Sequence, residues 1–85
     1  MTQQFPQQQF KTRLALLLFL KGASAPIVLF FEDTLAVYEE LLAIIRVQPP
    51  VAKLIEKEPI GPIKKIAFMS NQIISVALQE EVYQQ

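Results

Sequence analysis

A nearly continuous apolar stretch, residues 14–31, dominates the hydrophobic pattern and is broken near its middle by a lysine, a glycine and a proline. A strand with one face in water alternates apolar and polar side chains, and this stretch does not. Small turn residues at 22–24 divide it, so the pattern predicts two strands, 12–21 and 26–32, joined as a hairpin. Pro26 lacks an amide donor and therefore belongs at the start or the edge of its strand.

A helical pattern follows the second strand. Asp33 or Thr34 can accept a hydrogen bond from the free amides of a first turn, and the helix is expected to run to Val47. Pro49 ends it and favours an extended conformation at Gln48. The apolar positions are Leu35, Val37, Tyr38, Leu41, Leu42, Ile44 and Ile45. Their arc of about 180° is wider than the roughly 100° that packing on one sheet requires, so one margin of the helix is expected to contact another element.

Three further strand-like runs complete the chain. The first, 51–57, is weak and partly charged, while 63–69 and 73–80 are apolar and are separated by turn residues at 70–72. The order strand, strand, helix, strand, strand, strand predicts an α+β fold. We expect two hairpins in a single antiparallel sheet, with one helix packed on one face of that sheet.

The two predicted hairpins differ in how their faces are composed. In the C-terminal hairpin one face is apolar and the other is mostly small or polar. The apolar face comprises Ile66, Phe68, Ile74, Val76 and Leu78. In the N-terminal hairpin bulky apolar side chains occur on both faces, and a single helix covers only one of them.

This surplus of apolar side chains predicts a second layer over the N-terminal hairpin. A second copy of the chain is the simplest candidate, and the alternative is that the N-terminal segment or a loop folds back over the open face. Which face is open is not fixed by the pattern. The side chains that we expect at the interface are Leu17, Phe19, Val28, Phe30 and Tyr38.

Length and composition indicate one small domain of limited stability. The glutamine-rich residues 1–11 are predicted to form a flexible tail, and residues 12–82 a single α+β domain. A domain of this size buries only about 60–65% of its unfolded surface. Because the chain has no cysteine and no histidine, disulfides and zinc-finger sites are excluded. Close packing or association must supply the stability.

Charge and hydropathy restrict the partners and the compartment. Eight basic and eight acidic residues cancel, which disfavours nucleic acid as a partner. A signal peptide is disfavoured because Lys21 ends the apolar run after seven residues and Pro26 follows the small residues of the cleavage-like site. The same interruption breaks any membrane-spanning helix, although association with a membrane surface stays open. We therefore predict a cytoplasmic protein.

Candidate chemistry is sparse. The paired acids, such as those at 39–40 and 80–81, are typical of solvated faces rather than of two carboxyls converging on a cleft. The chain has only two glycines and so no phosphate-binding loop. Lys64 and Lys65 lie near Phe68, but alternation places the two lysines on opposite faces. We predict no catalytic, cofactor or metal site, and no enzyme activity.

Scattered pattern matches between Leu16 and Glu80 resemble a small uncharacterised family from cyanobacteria and red-algal plastids. The matching segments are Leu20-Lys21, Pro26-Ile27, Ala36 with Tyr38, Ile45-Arg46, Leu54 to Pro59, Lys64 to Ala67 and Ile74 to Leu78. The resemblance implies a photosynthetic bacterial or plastid setting and a compact α+β fold. It implies no particular activity.

The function expected from these observations is that of a non-enzymatic protein-interaction module. It would be a homodimer or a small accessory subunit of a larger assembly, and it would associate through the open face or the edge of the N-terminal hairpin. The alternative is a carrier of a small apolar ligand, with a pocket between helix and sheet.

Overall fold

A computed structural model describes residues 10–84 of the chain. In chain order the elements are β1 (Phe10–Leu20), β2 (Ile27–Leu29), α1 (Thr34–Val47), β3 (Leu54–Lys57), β4 (Ile66–Met69), a 3-10 turn (Ser70–Gln72) and β5 (Ile73–Gln84). The α+β class with antiparallel strands and one helix is as predicted. Residues 1–9 of the predicted tail lie outside the described residues, and residues 10 and 11 already belong to β1.

The strands divide between two sheets, so the predicted single sheet is not confirmed. The larger sheet has the order β2-β1-β5, and the smaller one consists of β3 and β4. All three pairings are antiparallel. A single bridge between Phe30 and Ile60 brings the loop between β3 and β4 alongside the end of β2.

The pairing of β5 with β1 replaces the predicted C-terminal hairpin. Ser70–Gln72 carries the chain from the smaller sheet to the larger one, and the Ser70 hydroxyl accepts a hydrogen bond from the Lys53 amide at 2.8 Å. β5 pairs with β1 because β1 has 11 residues, whereas β2 has only three and covers only part of it. Buried backbone groups need partners, and in the described chain only β5, with 12 residues, is long enough to supply them along β1.

The helix begins and ends where the sequence predicts. Oδ1 of Asp33 accepts a hydrogen bond from the Ala36 amide at 3.1 Å, and the Thr34 hydroxyl donates to the Phe31 carbonyl. The Asp33 contact satisfies an amide that a first turn otherwise leaves free, and the Thr34 contact ties the helix start to the end of the preceding segment. At the other end Gln48 adopts a left-handed conformation, with φ of 51°, rather than the expected extended one. Its amide donates to the Ile44 carbonyl, which closes the last turn.

One face of the larger sheet carries the core. Leu16, Leu18 and Leu29 of the sheet and Leu41 of the helix are almost completely buried there. Side chains of the smaller sheet, Ile55 and Phe68, join the same cluster. The helix and the smaller sheet thus share one side of the larger sheet, which we call its inner face.

The predicted apolar face of 73–80 needs one correction. Val76 and Leu78 pack against the core as expected, but Ile74 is 57% exposed and Ile73 is buried instead. The cause is a step in the pairing: Phe19 lies opposite Ser75 while the next residue of β1 lies opposite Ile73. The extra residue on β5 reverses the alternation beyond that point.

Candidate interaction surface

The face of the larger sheet opposite the core is its outer face. Alternation places Leu17 on it, since its neighbours on either side, Leu16 and Leu18, point into the core. Leu17 lies opposite Val28 of β2 and opposite Ala77 of β5. With Phe19, two positions further along β1, these side chains place apolar groups on all three strands. We call Leu17, Phe19, Val28, Ala77 and Ile74 the outer patch.

The outer patch is open to solvent within the described part of the chain. Leu17, Phe19 and Ala77 are half-buried by one another and by their neighbours, and Val28 is 39% exposed. Helix α1 and the smaller sheet both pack on the inner face. No element of residues 10–84 therefore covers the outer patch as a second layer.

One end of the outer face is closed by a cluster around Arg13. The Arg13 guanidinium carbon lies 3.8 Å from the centre of the Phe30 ring and 5.2 Å from that of Tyr83. The guanidinium also forms an ion pair with Glu81, at 3.6 Å. A cation stacked on an aromatic face is attracted by the ring and excludes water from it. Phe30 is buried in this way, so the predicted interface residue Phe30 is covered within its own chain.

The other end of the outer face is open and contains a small pocket. Its volume is about 150 Å³, and its lining combines Phe19 and Ile74 with the turn 23–26. Most of the lining is apolar, and Ser75 and Ser24 add hydroxyls at its margin. A pocket of this kind accepts one apolar side chain of a partner, such as leucine or phenylalanine.

The structure separates the five predicted interface residues into three groups. Leu17, Phe19 and Val28 come together on the outer face, Phe30 lies under Arg13, and Tyr38 is on the helix. Tyr38 packs half-buried against the core on the opposite side of the sheet. The outer patch therefore does not include it.

Sequence reasoning missed two members of the outer patch. Ala77 is not among the predicted interface residues, because its pairing with Leu17 is not predicted by the sequence. Ile74 is predicted on the apolar face of the C-terminal hairpin. Neither placement has a signal in the sequence, because both depend on the non-local pairing of β5 with β1.

The two edges of the larger sheet differ. The edge at β2 is only three residues long, follows Pro26, and is continued by the bridge between Phe30 and Ile60. The edge at β5 runs for 12 residues. Among the described residues no backbone hydrogen bond joins β5 to anything other than β1.

Two larger clefts lie elsewhere on the surface. One, of about 700 Å³, is lined by charged and apolar residues of β3, β4 and the positions directly beside them, among them Glu56 and Lys65. The other, of about 300 Å³, lies at the start of the helix beside Arg13, Glu32 and Asp33. The second cleft is lined by Leu14 of β1 and by Thr34 and Leu35 of the helix, so it lies at the margin of the contact between helix and sheet. Four almost completely buried leucines fill the centre of that contact. The apolar-carrier alternative stays a prediction.

The only helix within residues 10–84 that exceeds one turn has 14 residues, which is too short to cross a bilayer. The same residues contain no group of three or more acidic side chains placed to hold a metal ion. Neither finding assigns a role to the chain.

Comparisons with protein family models, with curated proteins and with solved structures each found no match. The resemblance to the cyanobacterial and plastid family therefore stays a prediction. What the chain does must be argued from the outer patch and the sheet edges.

Proposed function

We propose that this protein is a non-enzymatic interaction module that docks on another protein through its outer patch. The observation that carries the proposal is the absence of any second layer over Leu17, Phe19 and Val28 in the described part of the chain. Burial of a leucine or phenylalanine side chain contributes about 1.5–3 kcal/mol. A partner that covers these side chains therefore gains a substantial part of its binding free energy from them.

The size of the outer patch favours a larger partner over a face-to-face pair of identical chains. Three strands spaced about 4.8 Å apart, each contributing three or four residues at 3.3 Å, give a patch of about 170 Å² in plan. A standard stable interface buries about 800 Å² on each partner. We infer that the outer patch is the centre of a wider footprint, as expected for an accessory subunit seated on a larger assembly.

Within the outer patch, Phe19 and the adjacent pocket form the expected anchor point. Binding free energy concentrates at a few well-packed side chains near the middle of an interface. The pocket between Phe19, Ile74 and the turn 23–26 offers a concave site beside the half-buried ring of Phe19. Arg13 and Phe30 limit the apolar surface at the opposite end. The partner is therefore expected to insert an apolar side chain beside Phe19.

Photo-cross-linking from the patch tests this proposal. A photoreactive phenylalanine analogue at position 19 keeps the shape of the side chain, and the same analogue at the exposed Glu39 of the helix provides the control. In a cyanobacterial cell extract, to which the family resemblance directs the first trial, we expect one discrete protein to be linked from position 19 and not from position 39. Identical products from both positions, or none from position 19, would contradict the proposal.

A competition arm makes this experiment specific. Adding an excess of the unmodified chain should abolish the cross-link, since both forms occupy the same site. Adding the Phe19→Asp variant should not, because a carboxylate in an apolar interface carries a large desolvation cost. We further propose that this docking takes place in the cytoplasm.

A further inference from the structure

Three segments of the chain meet at one end of the molecule, which we call the basic end. They are 21–26, 46–54 and 69–72. The Lys21 amide donates to the Gln72 carbonyl at 2.9 Å. The Lys53 amide donates to the Ser70 hydroxyl, and the Ser70 amide donates to the Lys53 carbonyl, both at 2.8 Å. The 3-10 turn therefore holds the hairpin turn and the segment before β3 together.

The last turn of the helix lies level with the start of β3. The two elements run antiparallel, because the loop after β3 bridges to the end of β2, just before the helix begins. An ion pair between Glu40 and Lys57 sets their relative height. From Glu40 the helix rises about 10 Å to Val47, and from Lys57 the strand covers about 10 Å back to Leu54. Val47 and Leu54 therefore both belong to the basic end.

Apolar side chains of the basic end are unusually exposed. Val47 is 76% exposed, Val51 74% and Leu54 59%. Leu54 pairs with Met69 in the smaller sheet, and both point away from the core because the next residue of the first strand and the preceding residue of the second are buried. Exposed apolar side chains concentrated at one place mark an interaction site.

The charges of the basic end have a single sign. Its three segments contain Lys21, Arg46 and Lys53, all exposed, and no acidic residue. The nearest acid along the chain, Glu56, lies beside Lys65 in the larger cleft. The rest of the chain has eight acidic and five basic residues, since three of the eight basic ones lie at this end. The molecule is therefore electrically polarised although its net charge is zero.

We propose that the basic end docks on the surface of an anionic lipid bilayer. Lys21, Arg46 and Lys53 contact the headgroups, while Val47 and Val51 enter the boundary between headgroups and acyl chains. Attraction of basic residues to anionic lipids and burial of apolar side chains are the two contributions that hold a peripheral protein on a membrane. This site is separate from the outer patch, and the inference goes beyond the function proposed for that patch.

The termini of the chain are too short to cover the basic end. Residues 1–9 join β1 at Phe10, which pairs with Gln84 at the opposite end of the larger sheet. Leu20, next to the basic end, lies about 33 Å away along β1. Nine residues span at most about 32 Å when fully extended. The occupant of this end is therefore another molecule.

Charge and side-chain type favour a bilayer as that molecule. A second copy would bring two sets of three like charges together, which is unfavourable. Nucleic acid would match the charge, but the three segments contain no aromatic side chain on which a base could stack, and the exposed aliphatic ones would stay in water. An acidic protein would need a groove matched to apolar side chains from separate segments. The fluid boundary of a bilayer accepts them in any arrangement.

The backbone between the two exposed valines is constrained. Gln48 is in the left-handed region, with φ of 51°, and its amide donates to the Ile44 carbonyl. Pro49 and Pro50 follow, and each fixes its own φ. A preorganised loop loses little conformational entropy when it is immobilised. Insertion of Val47 and Val51 into a membrane surface is favoured for that reason.

Sedimentation with lipid vesicles gives the first test. Vesicles of phosphatidylcholine and phosphatidylglycerol should bind the purified chain at low salt at least about tenfold more tightly than vesicles of phosphatidylcholine alone. Lys53→Gln should weaken this binding about fivefold, the contribution of one basic residue near an anionic surface. The matched control Lys64→Gln removes the same charge beyond the far end of β4, more than a screening length of about 10 Å away, and should have less than a twofold effect.

Tryptophan fluorescence tests insertion directly. The chain has no tryptophan, so Val51→Trp introduces a single reporter. Anionic vesicles should shift its emission to shorter wavelength, because the indole leaves water, and brominated acyl chains should quench it. The matched control is Val82→Trp, at a valine of β5 that is 63% exposed at the opposite end of the sheet. It should show neither change. Circular dichroism checks that all variants fold.

Three results would overturn the proposal. The first is no binding of the wild-type chain to anionic vesicles at low salt, including the case in which an acidic protein binds this end instead. The second is equal weakening by Lys53→Gln and Lys64→Gln. The third is the same emission shift from positions 51 and 82. Because the vesicles contain no protein, none of these results depends on a partner of the outer patch.

Discussion

The inner and outer faces of the larger sheet carry similar side chains but differ in what covers them. Leu16 and Leu18 on the inner face are completely buried under the helix and the smaller sheet. Leu17 and Phe19, one position away on the same strand, are only half-buried. Leucine is therefore completely buried in the core on one face and stays partly exposed on the other.

The largest difference between the two faces should appear when one leucine is truncated on each. Leu18→Ala leaves a cavity in a packed core, and we expect it to lower the free energy of unfolding by about 2–5 kcal/mol. Leu17→Ala leaves no cavity, and it should lower the free energy of unfolding by about 1 kcal/mol or less. Urea denaturation of the two variants measures both values at one protein concentration. If both variants lost the same free energy of unfolding, Leu17 would be covered by a second layer as Leu18 is.

The N-terminal cap of α1, the helix that packs on the inner face, allows a test with a smaller expected effect. Asp33→Ala removes the acceptor for the Ala36 amide, and we expect a loss of about 1 kcal/mol in the free energy of unfolding. Asp33→Asn keeps an acceptor oxygen and should retain most of the stability. Thermal or urea unfolding of the pair distinguishes the cap from a general effect of charge. A loss in both variants would contradict the capping role.

The smallest effect is expected at the closed end of the outer face. Arg13→Ala removes the cation stacked on Phe30, which should cost about 0.5–1 kcal/mol and expose that ring. Lys11→Ala, two residues away on the same face of β1, is the control and should change stability by less than about 0.5 kcal/mol. The two values come from paired unfolding curves. If Lys11→Ala lowers the free energy of unfolding as much as Arg13→Ala does, the stacking of Arg13 on Phe30 makes no specific contribution to stability.

The two edges of the sheet extend the same comparison. Pro26, the shortness of β2 and the bridge at Ile60 protect one edge, whereas β5 has no such protection along most of its length.

The sequence predicts the helix more accurately than the strands. Asp33 and the two prolines after Gln48 bound the helix, and its apolar period gave the correct buried face. The strands were recognised, but the apolar 63–69 run shortened to Ile66–Met69 and the last strand extended to Gln84. Propensity and period act over a few residues, so they locate elements better than they define their ends.

The sequence predicted only some of the residues of the outer patch. Leu17, Phe19 and Val28 followed from the alternation of the N-terminal hairpin. The burial of Phe30 did not, because Arg13 reaches it from the neighbouring strand. Ile74 was assigned to the wrong face because a single extra residue in one strand reverses every side chain beyond it.

The sequence by itself determined that the chain is an α+β domain with one amphipathic helix and more apolar surface than that helix can cover. Only the tertiary structure decided that β1 lies between β2 and β5, that the smaller sheet packs beside the helix, and that the long β5 edge has no strand partner among residues 10–84. The physical reason is that strand pairing joins residues more than 60 positions apart, such as Leu16 and Leu78. Local patterns of polarity contain no information about which of several apolar strands will become neighbours.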